Sequence, residues 1–552
     1  MIRTIVYDDF SGGDTGRQRP EPNILNKYRG INTWLYPAGI GPRPAIGTDG
    51  GAFTNGLPVG KQLRTVNFNL GSTIVWSVFA FSDGTVYSNS APVLTPSPQV
   101  LRGTLGGIPV DSVKATDVVA FVTASGSSGV VNSAGTFTVL AAMPNGQNIE
   151  VFGDRAVVLI NTPGLPPTLR FSDAADPTVW NVINSQFVGP IGYGMGLYVL
   201  RDGLIIPKLD GTIWQFAGVI NFNDTLRQID VGRVHPFPNT ADGATVGGSQ
   251  VFFATGNQMA AFTGAQVLNL TRPDIPPPAA AGFTVKAADN HVGRVIPLQE
   301  DQHFLVIGAL DKDDASGNRV PWMQSYSPER GWNRHTVPVT PYKISTAALQ
   351  SVSSTSIDSA RAIMADFLYE GYVALVVPSD SAGGTNGTVR VYLFNTLQEM
   401  PYLTRQLQWA ILPFQVLDGD TGTAVVASVQ FAEWWTPDGS EVTVRSVLMD
   451  YTYDSDPTVA GLVAVPNRLT MSILATEPAD GTVVQESAAI TFTPTGGTAI
   501  DVPNDTTLKR GRELFQFGEQ GAAGGFRIKI TGWSGIVIRR LTVEVDVAEA
   551  RH

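Results

Sequence analysis

The residue types that usually carry catalysis are scarce in this chain of 552 residues. Cysteine is absent, which excludes thiol nucleophiles, disulfides and thiolate metal ligands. The histidines are scattered and none has a partner at the spacing of a metal site; they are His235, His291, His303, His335 and His552. No phosphate-binding glycine loop, G-x-S-x-G elbow or H-E-x-x-H motif occurs. We therefore expect no catalytic residues, no cofactor and no metal centre, and a protein that is not an enzyme.

One loop has the oxygen donors of a cation site. The stretch from Asp311 to Asn318 reads DKDDASGN, and its side chains alternate in the manner of a calcium loop. It lacks the acidic residue that closes such a loop at the twelfth position. A polar hairpin tip between two strands explains the composition equally well, so calcium binding by Asp311–Asp314 stays open.

The most individual pattern is the stretch FSDAADPTVW from Phe171 to Trp180. Serine and aspartate side chains can accept hydrogen bonds from the amides of a tight turn, proline fixes the direction of the chain, and tryptophan packs the next strand. We predict a structural turn built by Ser172, Asp173, Asp176, Pro177 and Trp180. The pattern also resembles the aspartate-box turn of glycosidase propellers. A receptor-binding or glycan-binding propeller, with or without glycosidase activity, is therefore the alternative function.

The amino-acid composition excludes several further classes of protein. The chain has 58 glycines, 37 prolines and only 15% charged residues, with a net charge of −11. Tight binding of nucleic acid needs a basic surface, and no run of lysine or arginine occurs. The first ten residues lack the apolar core of a signal peptide, and no apolar stretch is long enough to cross a bilayer. We expect a soluble protein, made in the cytoplasm and not inserted in a membrane.

The elements read as short strands joined by turns. Asp-Gly and Gly-Asn pairs separate apolar runs, for example in 73–90, 196–218 and 248–270, which is the strongest short-range signal for hairpins. Units of about four strands recur every 40 to 60 residues over 61–460, a pattern typical of β-propeller blades. The sequence predicts an all-β fold with a propeller of six or seven blades, six being favoured. A pair of β-sandwiches would explain the strands as well.

The two ends of the chain differ from the middle. Residues 1–60 are rich in proline and glycine, and we predict an extended N-terminal arm for assembly, anchored by Trp34, Leu35 and Tyr36. On this interpretation, deletion of 1–45 leaves a folded, soluble protein. Residues 461–552 contain longer alternating strands, such as FRIKI from Phe526, which predicts a C-terminal antiparallel β region.

Four segments together resemble one family. They are the opening strand with DFSGG, the segment NTWLYPAGIGPRPA, the turn FSDAADPTVW and the closing FRIKITGWSGIVIRRLTVEVD. In these the chain is similar to β-propeller tail proteins of short-tailed bacteriophages. That group comprises the tail nozzle, or tail tubular protein B, and the related head-completion proteins that stabilise packaged DNA. A minor tail or hub protein of a long-tailed phage is a further alternative.

The resemblance implies a structural role in the virion. A nozzle protein forms a homo-hexameric ring below the portal and adaptor, closes the head-to-tail channel, retains packaged DNA and conducts the genome during ejection. Tail fibres or spikes attach to its flank. Double-stranded DNA passes through without tight binding, which agrees with an acidic composition because like charges repel.

Overall fold

The computed structural model describes a large part of the chain. The described ranges are 1–13, 23–36, 39–43, 46–48, 63–68, 74–75, 77–81, 83–90, 98–200, 203–217, 227–228, 244–247, 250–254, 259–270, 294–297, 304–313, 319–327, 331–336, 363–365, 372–378, 389–395, 417–418, 423–436, 438–455, 467–477, 479–500, 508–518 and 523–548. All regular structure in these ranges is β-strand. A helix capable of crossing a bilayer is not found among them.

Five strands come first in the chain. They are β1 (Ile2–Tyr7), β2 (Tyr28–Ile31), β3 (Thr33–Tyr36), β4 (Gly39–Pro42) and β5 (Ile46–Thr48). The predicted extended arm is therefore wrong for these residues, because β1, β2, β4 and β5 each pair with a strand far along the chain and β3 pairs with β4. β1 pairs along its whole length with a strand near the C-terminus, from Ile2 opposite Asp546 to Tyr7 opposite Leu541.

The middle of the chain forms seven four-stranded antiparallel sheets within the described residues, which we number as blades one to seven. Blade one holds β6 (Leu63–Phe68), β7 (Ser77–Phe81), β8 (Thr85–Asn89) and β9 (Val100–Thr104); blade two holds β10 (Pro109–Ala115), β11 (Val118–Thr123), β12 (Ser128–Asn132) and β13 (Phe137–Leu140). Blade three holds β14 (Asn148–Phe152), β15 (Arg155–Ile160), β16 (Thr168–Asp173) and β17 (Asp176–Phe187); blade four holds β18 (Tyr198–Leu200), β19 (Gly203–Pro207), β20 (Ile213–Ala217) and β21 (Arg227–Gln228).

The later blades follow the same plan until the last. Blade five holds β22 (Ala244–Gly247), β23 (Gln250–Ala254), β24 (Met259–Phe262) and β25 (Val267–Asn269); blade six holds β26 (Arg294–Pro297), β27 (Phe304–Asp313), β28 (Arg319–Ser327) and β29 (Gly331–His335). Blade seven holds β30 (Ile363–Ala365), β31 (Tyr372–Pro378) and β32 (Val389–Asn395), and its fourth strand is β5 from the N-terminal segment. Ile46 pairs there with Phe394, and Thr48 with Tyr392.

The sheets are arranged as a propeller. The first strand of each blade from one to five lies against the first strand of the next blade. β30 of blade seven lies against β6 of blade one, so the last blade meets the first. Apolar clusters fill the spaces between neighbouring blades. Phe121 of blade two packs toward blade one, whereas Ala120 and Val122 on the opposite face pack toward Trp180 of blade three. This burial on both faces explains the unbroken apolar run VVAFVT.

The hairpin turns repeat one local device. In Asp83-Gly84-Thr85 and Asp210-Gly211-Thr212 the aspartate Oδ1 accepts hydrogen bonds from the threonine backbone N–H, at 3.0 Å in both, and from the threonine hydroxyl. Gly84 and Gly211 both have φ of about +80° (81° and 84°), which side chains other than glycine adopt at a cost. Because these turns depend only on neighbouring residues, the hairpins of the blades could be predicted from the sequence.

The last strands form a β-sandwich together with the first. The remaining elements are β33 (Leu417–Asp418), β34 (Thr423–Ala424), β35 (Ala427–Phe431), β36 (Trp434–Trp435), β37 (Val442–Asp454), β38 (Arg468–Thr476), β39 (Val483–Glu486), β40 (Ile490–Phe492), β41 (Thr498–Ala499), β42 (Leu508–Gln516), β43 (Gly525–Ser534) and β44 (Ile536–Val547). β33 and β34 form a separate hairpin. One seven-stranded sheet has the order β3-β4-β44-β37-β42-β41, with β1 also on β44. The other has the order β2-β35-β43-β38-β39, with β36 on β43 and β40 on β38.

Both chain ends contribute to one apolar core in this sandwich. Tyr7, Phe10 and Tyr28 from the N-terminal strands pack with Trp533 and Ile538 from the C-terminal strands, and all five are buried. Burying a large apolar side chain contributes roughly 1.5–3 kcal/mol, so the N-terminal strands supply a substantial share of the sandwich's stability.

Three sequence predictions need correction in detail. The favoured number of six blades is wrong, since the described residues form seven four-stranded sheets in the propeller, and the seventh takes its fourth strand from residues 46–48. The boundary at 460 is also misplaced, because β35, β36 and β37 belong to the sandwich and not to a blade. The rival of two sandwiches is wrong for 63–395, whereas the C-terminal antiparallel region is present as predicted.

Candidate functional site: the outer edge of blade three

The predicted structural turn lies at the start of β17, the outer strand of blade three. Asp176 Oδ1 accepts hydrogen bonds from the Thr178 backbone N–H at 2.9 Å and from its hydroxyl at 2.6 Å. These two bonds hold the pKa of the Asp176 carboxyl below its usual value. The indole Nε1–H of Trp180 donates to the Pro177 carbonyl at 2.9 Å, and the ring packs in the core toward blade two. Ser172 is buried and its Oγ accepts from the Ala156 N–H at 3.0 Å.

Beyond this turn the strand leaves the sheet. Ser172 is paired with Trp180, but Arg170, two residues earlier on β16, is paired with Ser185. Residues 181–184 therefore form a bulge that projects from the blade edge. The Asn184 Nδ2–H donates to Asp173 Oδ1 at 2.9 Å, which ties the far side of the bulge to the predicted turn.

The bulge presents apolar side chains to solvent. Val182 is 71% exposed and Ile183 is 78% exposed, and Phe187 farther along β17 is 62% exposed. We call Val179, Val182, Ile183 and Phe187 the edge knob. No charged residue occurs from Pro177 to Leu200. Exposed edge strands usually carry charges that prevent pairing with other chains, so an uncharged, apolar edge marks a contact surface.

The predicted assembly residues lie elsewhere and are not exposed. Trp34 is buried, with its ring centroid 5.9 Å from that of His335 in blade six. Leu35 packs against the sandwich core, and the Tyr36 hydroxyl donates to the Pro42 carbonyl. The hairpin of β3 and β4 thus joins the sandwich to blade six within one chain.

A buried polar junction fixes this hairpin. Asn32 Oδ1 accepts from the Thr336 N–H at 2.8 Å, and its Nδ2–H donates to the Val426 carbonyl at 3.0 Å. The Asn32 N–H donates to the Arg334 carbonyl at 2.7 Å. The guanidinium of Arg43 is buried and donates to the Thr336 carbonyl at 3.0 Å. Asn32 therefore bonds to blade six and to the residue that precedes β35 of the sandwich.

Two carboxylates meet where blades two and three touch. Asp111 Oδ2, on the first strand of blade two, accepts from the Ile149 N–H at 3.0 Å on the first strand of blade three. Glu150 is next in the chain, and partial burial raises its pKa to about 7, assisted by the charge of Asp111 and opposed by a hydrogen bond from the Val151 N–H. A carboxyl group with a raised pKa can serve acid–base chemistry, but here its neighbour Asp111 accepts hydrogen bonds that join two blades.

The sandwich contains a buried ion pair. Glu433 is fully buried, and its carboxylate accepts a hydrogen bond from the Thr476 hydroxyl. The Arg527 Nε lies 4.0 Å from Glu433 Oε2, and the same guanidinium donates to the Gly481 carbonyl. The Tyr7 hydroxyl donates to the Ala432 carbonyl at 3.1 Å, and burial beside Glu433 raises the pKa of Tyr7. The cluster joins β1, β43 and the segment before β36.

The metal-ligating residue types in the part of the chain that the structure describes do not come together as a metal centre. Within the described ranges, no group of three or more histidine, aspartate or glutamate side chains is placed to hold a metal ion. Asp311 and Asp313 lie in β27, whereas Asp314–Asn318 falls outside the described residues, so the calcium question stays a prediction.

Sequence reasoning found the turn but missed what it displays. The alternation of β17 is interrupted by the bulge, and only the absence of charge from 177 to 200 signalled an exposed apolar edge. It also missed Glu433 with Arg527, which are 94 residues apart and carry no local signal. Arg527 looked like a solvent-facing residue of an alternating strand, yet it is buried.

Comparison with known proteins identifies similar folds only. No protein-family model matches the chain, and no curated protein matches it in sequence. Among solved structures, U3-55K is 8% identical with a TM-score of 0.39, over 62% of this chain and 99% of that one. BamB from Moraxella catarrhalis is 10% identical with a TM-score of 0.36, over 67% and 95%. The WD40 repeats of RRP9 are 8% identical with a TM-score of 0.38, over 63% and 99%. None of the three is a phage tail protein.

Proposed function

We propose that this chain is a structural subunit of a bacteriophage tail and not an enzyme. In this proposal it forms a homo-hexameric nozzle or head-to-tail ring that continues the channel of the portal and adaptor, retains packaged DNA and conducts it at ejection. The phage assignment is supported by the sequence resemblance of the four segments given above. The assembly role is supported by the edge knob.

The edge knob supports the assembly role because its apolar side chains are unfavourable in contact with water. Val182, Ile183 and Phe187 are each more than 60% exposed on an outer strand that has no further strand partner among the described residues. Covering a large apolar side chain contributes roughly 1.5–3 kcal/mol. Three such side chains on one blade edge mark a patch that a complementary surface would cover.

A second copy of the chain is the occupant we propose for the edge knob. Each chain carries a net charge of −11, so two copies repel one another over most of their surface. The stretch from Pro177 to Leu200 is free of charge, which makes blade three a surface where copies can meet without placing like charges side by side. When the edge knob of one copy meets a different surface of the next copy, the contact is head-to-tail and generates a ring if the rotation closes.

The net charge also suits a channel protein. DNA that must leave a capsid quickly should not be bound tightly by its conduit, and an acidic protein does not neutralise phosphates. Portal, adaptor and tail fibre or spike proteins are the other partners in this proposal, and its location is the virion tail after synthesis in the bacterial cytoplasm.

Charge substitutions in the edge knob test the assembly role. We expect Val182→Asp and Ile183→Asp to convert the purified oligomer to monomer, measured by size-exclusion chromatography with light scattering. Val139→Asp is the matched control, since Val139 is 47% exposed on the outer strand of blade two and should leave the oligomer intact. Equal oligomers for all three variants would contradict the proposed contact.

The phage role has its own test. In a phage that encodes this chain, disruption of its gene should give heads that package DNA and then lose it, seen as nuclease-sensitive DNA and empty capsids in electron micrographs. Filled, tailed and infectious particles without the protein would overturn the tail assignment while leaving the self-association result intact.

A further inference from the structure

The sandwich contains an open pocket at the edge of β42 that the proposed function does not use. Its volume is about 600 Å³. Tyr451 and the half-buried Phe492 form the apolar floor, with ring centroids 5.1 Å apart in an edge-to-face arrangement. One wall is the segment 495–498 and the other is the segment 510–513. We call this the sandwich pocket.

Glycines keep the sandwich pocket open and its floor in place. A side chain at Gly511 would collide with the Tyr451 ring, because a Cβ built there lies 2.4 Å from Cζ and from the hydroxyl oxygen. Gly496 on the opposite wall has nothing within 4 Å of its Cβ position, so it faces open space. The backbone of the segment 495–498 is exposed and can donate and accept hydrogen bonds.

One of the two arginines that line the sandwich pocket is held by a carboxylate and the other is not. Arg512 is held by Asp450 through hydrogen bonds from Nε at 2.6 Å and from a terminal nitrogen at 3.4 Å. Arg510 is exposed, and no hydrogen bond or ion pair to a described residue holds its guanidinium. A guanidinium at the pocket wall without a carboxylate of its own favours an anion.

We propose that the sandwich pocket binds an acidic saccharide. Arg510 pairs with the anionic group of the sugar, and the apolar face of the sugar ring lies on Phe492, which packs against the buried ring of Tyr451. The sugar hydroxyls donate to Glu513 and exchange hydrogen bonds with the backbone of 495–498. This inference goes beyond the proposed tail role and does not depend on it.

The composition of the wall distinguishes a saccharide from other anions. Glu513 and Asp450 both line the pocket, so a polyanion without free hydroxyl groups, such as polyglutamate or single-stranded DNA, would meet repulsion there that no hydrogen bond offsets. A sugar with one anionic group per ring offers hydroxyls to those carboxylates as well as a charge to Arg510. Aromatic rings beside polar groups are the usual composition of ligand pockets.

Calorimetric titration of the full-length protein tests the proposal. The probes are trigalacturonate, a hyaluronan tetrasaccharide and 3′-sialyllactose at low ionic strength, and their methyl esters serve as neutral ligand controls. We expect at least one acidic probe to bind, and its ester to bind about tenfold more weakly, as loss of a charged hydrogen bond requires. Arg510→Gln should weaken binding by a similar factor, whereas Arg468→Gln, at an exposed arginine on the other sheet, should not.

A second pair of variants tests the pocket by filling it, without changing the charge of the protein. Gly496→Trp should fill the pocket and abolish binding, whereas Gly518→Trp should have no effect, because Gly518 also has nothing within 4 Å but does not line the pocket. Circular dichroism checks that all four variants are folded. Failure of all three acidic probes at millimolar concentration, equal affinity for Arg510→Gln and wild type, or tighter binding of hexaglutamate than of any saccharide would each overturn the proposal.

Discussion

Blade three and the terminal sandwich are both antiparallel β structure, but the chain builds them in opposite ways. Blade three uses residues 148–187 in sequence order, with each strand paired to the next one along the chain. The sandwich pairs β1 with β44 and β2 with β35, across separations of roughly 400 to 540 residues. Closing such long loops costs more conformational entropy before any contact is made, so we expect the blades to form first and the sandwich last.

The difference has a consequence for stability. A blade can lose one hairpin contact and keep its neighbours, whereas the sandwich needs both chain ends at once. β5 also completes blade seven, so the N-terminal segment serves the ring and the sandwich together. We therefore expect mutations in the N-terminal strands to lower the free energy of unfolding most, and mutations within a single blade to lower it least.

Deletion of residues 1–45 is expected to have the largest effect. It removes β1 to β4 and with them Tyr7, Phe10, Tyr28 and Ile40 from the sandwich core. We expect loss of soluble, folded protein, contrary to the expectation from the sequence that this segment is dispensable for folding. Soluble yield and far-ultraviolet circular dichroism measure this, with deletion of 549–552, beyond the end of β44, as the control. A truncated protein with wild-type thermal unfolding would show that the terminal strands are only an accessory.

Breaking the buried ion pair is expected to have the second-largest effect on stability. Glu433→Ala leaves the buried Arg527 without its carboxylate, and removing one member of such a pair typically costs about 3–5 kcal/mol. Glu486→Ala breaks the exposed contact with Lys529 at 2.9 Å in the same sheet and should cost about 0–1 kcal/mol. Denaturant unfolding measures the free energy of unfolding of both variants. Equal losses would mean that Glu433 contributes no more than a surface charge.

Substitution of Asn32, at the junction between blade six and the sandwich, should have the third-largest effect on stability. Asn32→Ala removes the side-chain bonds to Thr336 and Val426 and places alanine at φ 58°, a conformation it disfavours. We expect a loss of about 2–3 kcal/mol, from two buried hydrogen bonds and backbone strain. Asn32→Gly relieves the strain but not the lost bonds, so its deficit should be smaller and not zero. If glycine restores full stability, the side chain does not link the two parts.

The smallest effect should depend on pH. The pKa of Glu150 is raised to about 7 from an ordinary value near 4.5, so between these values the folded state holds a proton that the unfolded state has released. The free energy of unfolding therefore falls as pH rises from about 4.5 to about 7. Glu150→Gln removes this loss, and we expect it to be more stable than wild type by roughly 1–2 kcal/mol at pH 8, with the advantage declining toward pH 5. Melting curves at several pH values measure the difference, and an advantage independent of pH would exclude titration of Glu150 as its cause.

The same contrast explains what the sequence could predict. Turns such as Asp83-Gly84 and Asp210-Gly211 are local, so the hairpins and the propeller were readable from residue order alone. The turn at Asp176 was readable for the same reason, because its hydrogen bonds span two residues. Pairing of Ile2 with Asp546, or of Ile46 with Phe394, depends on tertiary arrangement, and nothing near either residue specifies its partner. The prolines and glycines of 1–60 suggested an arm because they break long strands, whereas the segment in fact contains several short ones.

Self-association into a closed ring is the central claim of this account, and negative-stain electron microscopy of the purified full-length protein tests it most directly. Class averages should show closed rings with six-fold symmetry around an open channel, and Ile183→Asp should give single propellers with the diameter of one subunit. The claim would be contradicted if the wild-type protein gave only isolated subunits on the grid and remained monomeric in solution at much higher concentration. It would also be contradicted if Ile183→Asp gave the same rings as the wild type.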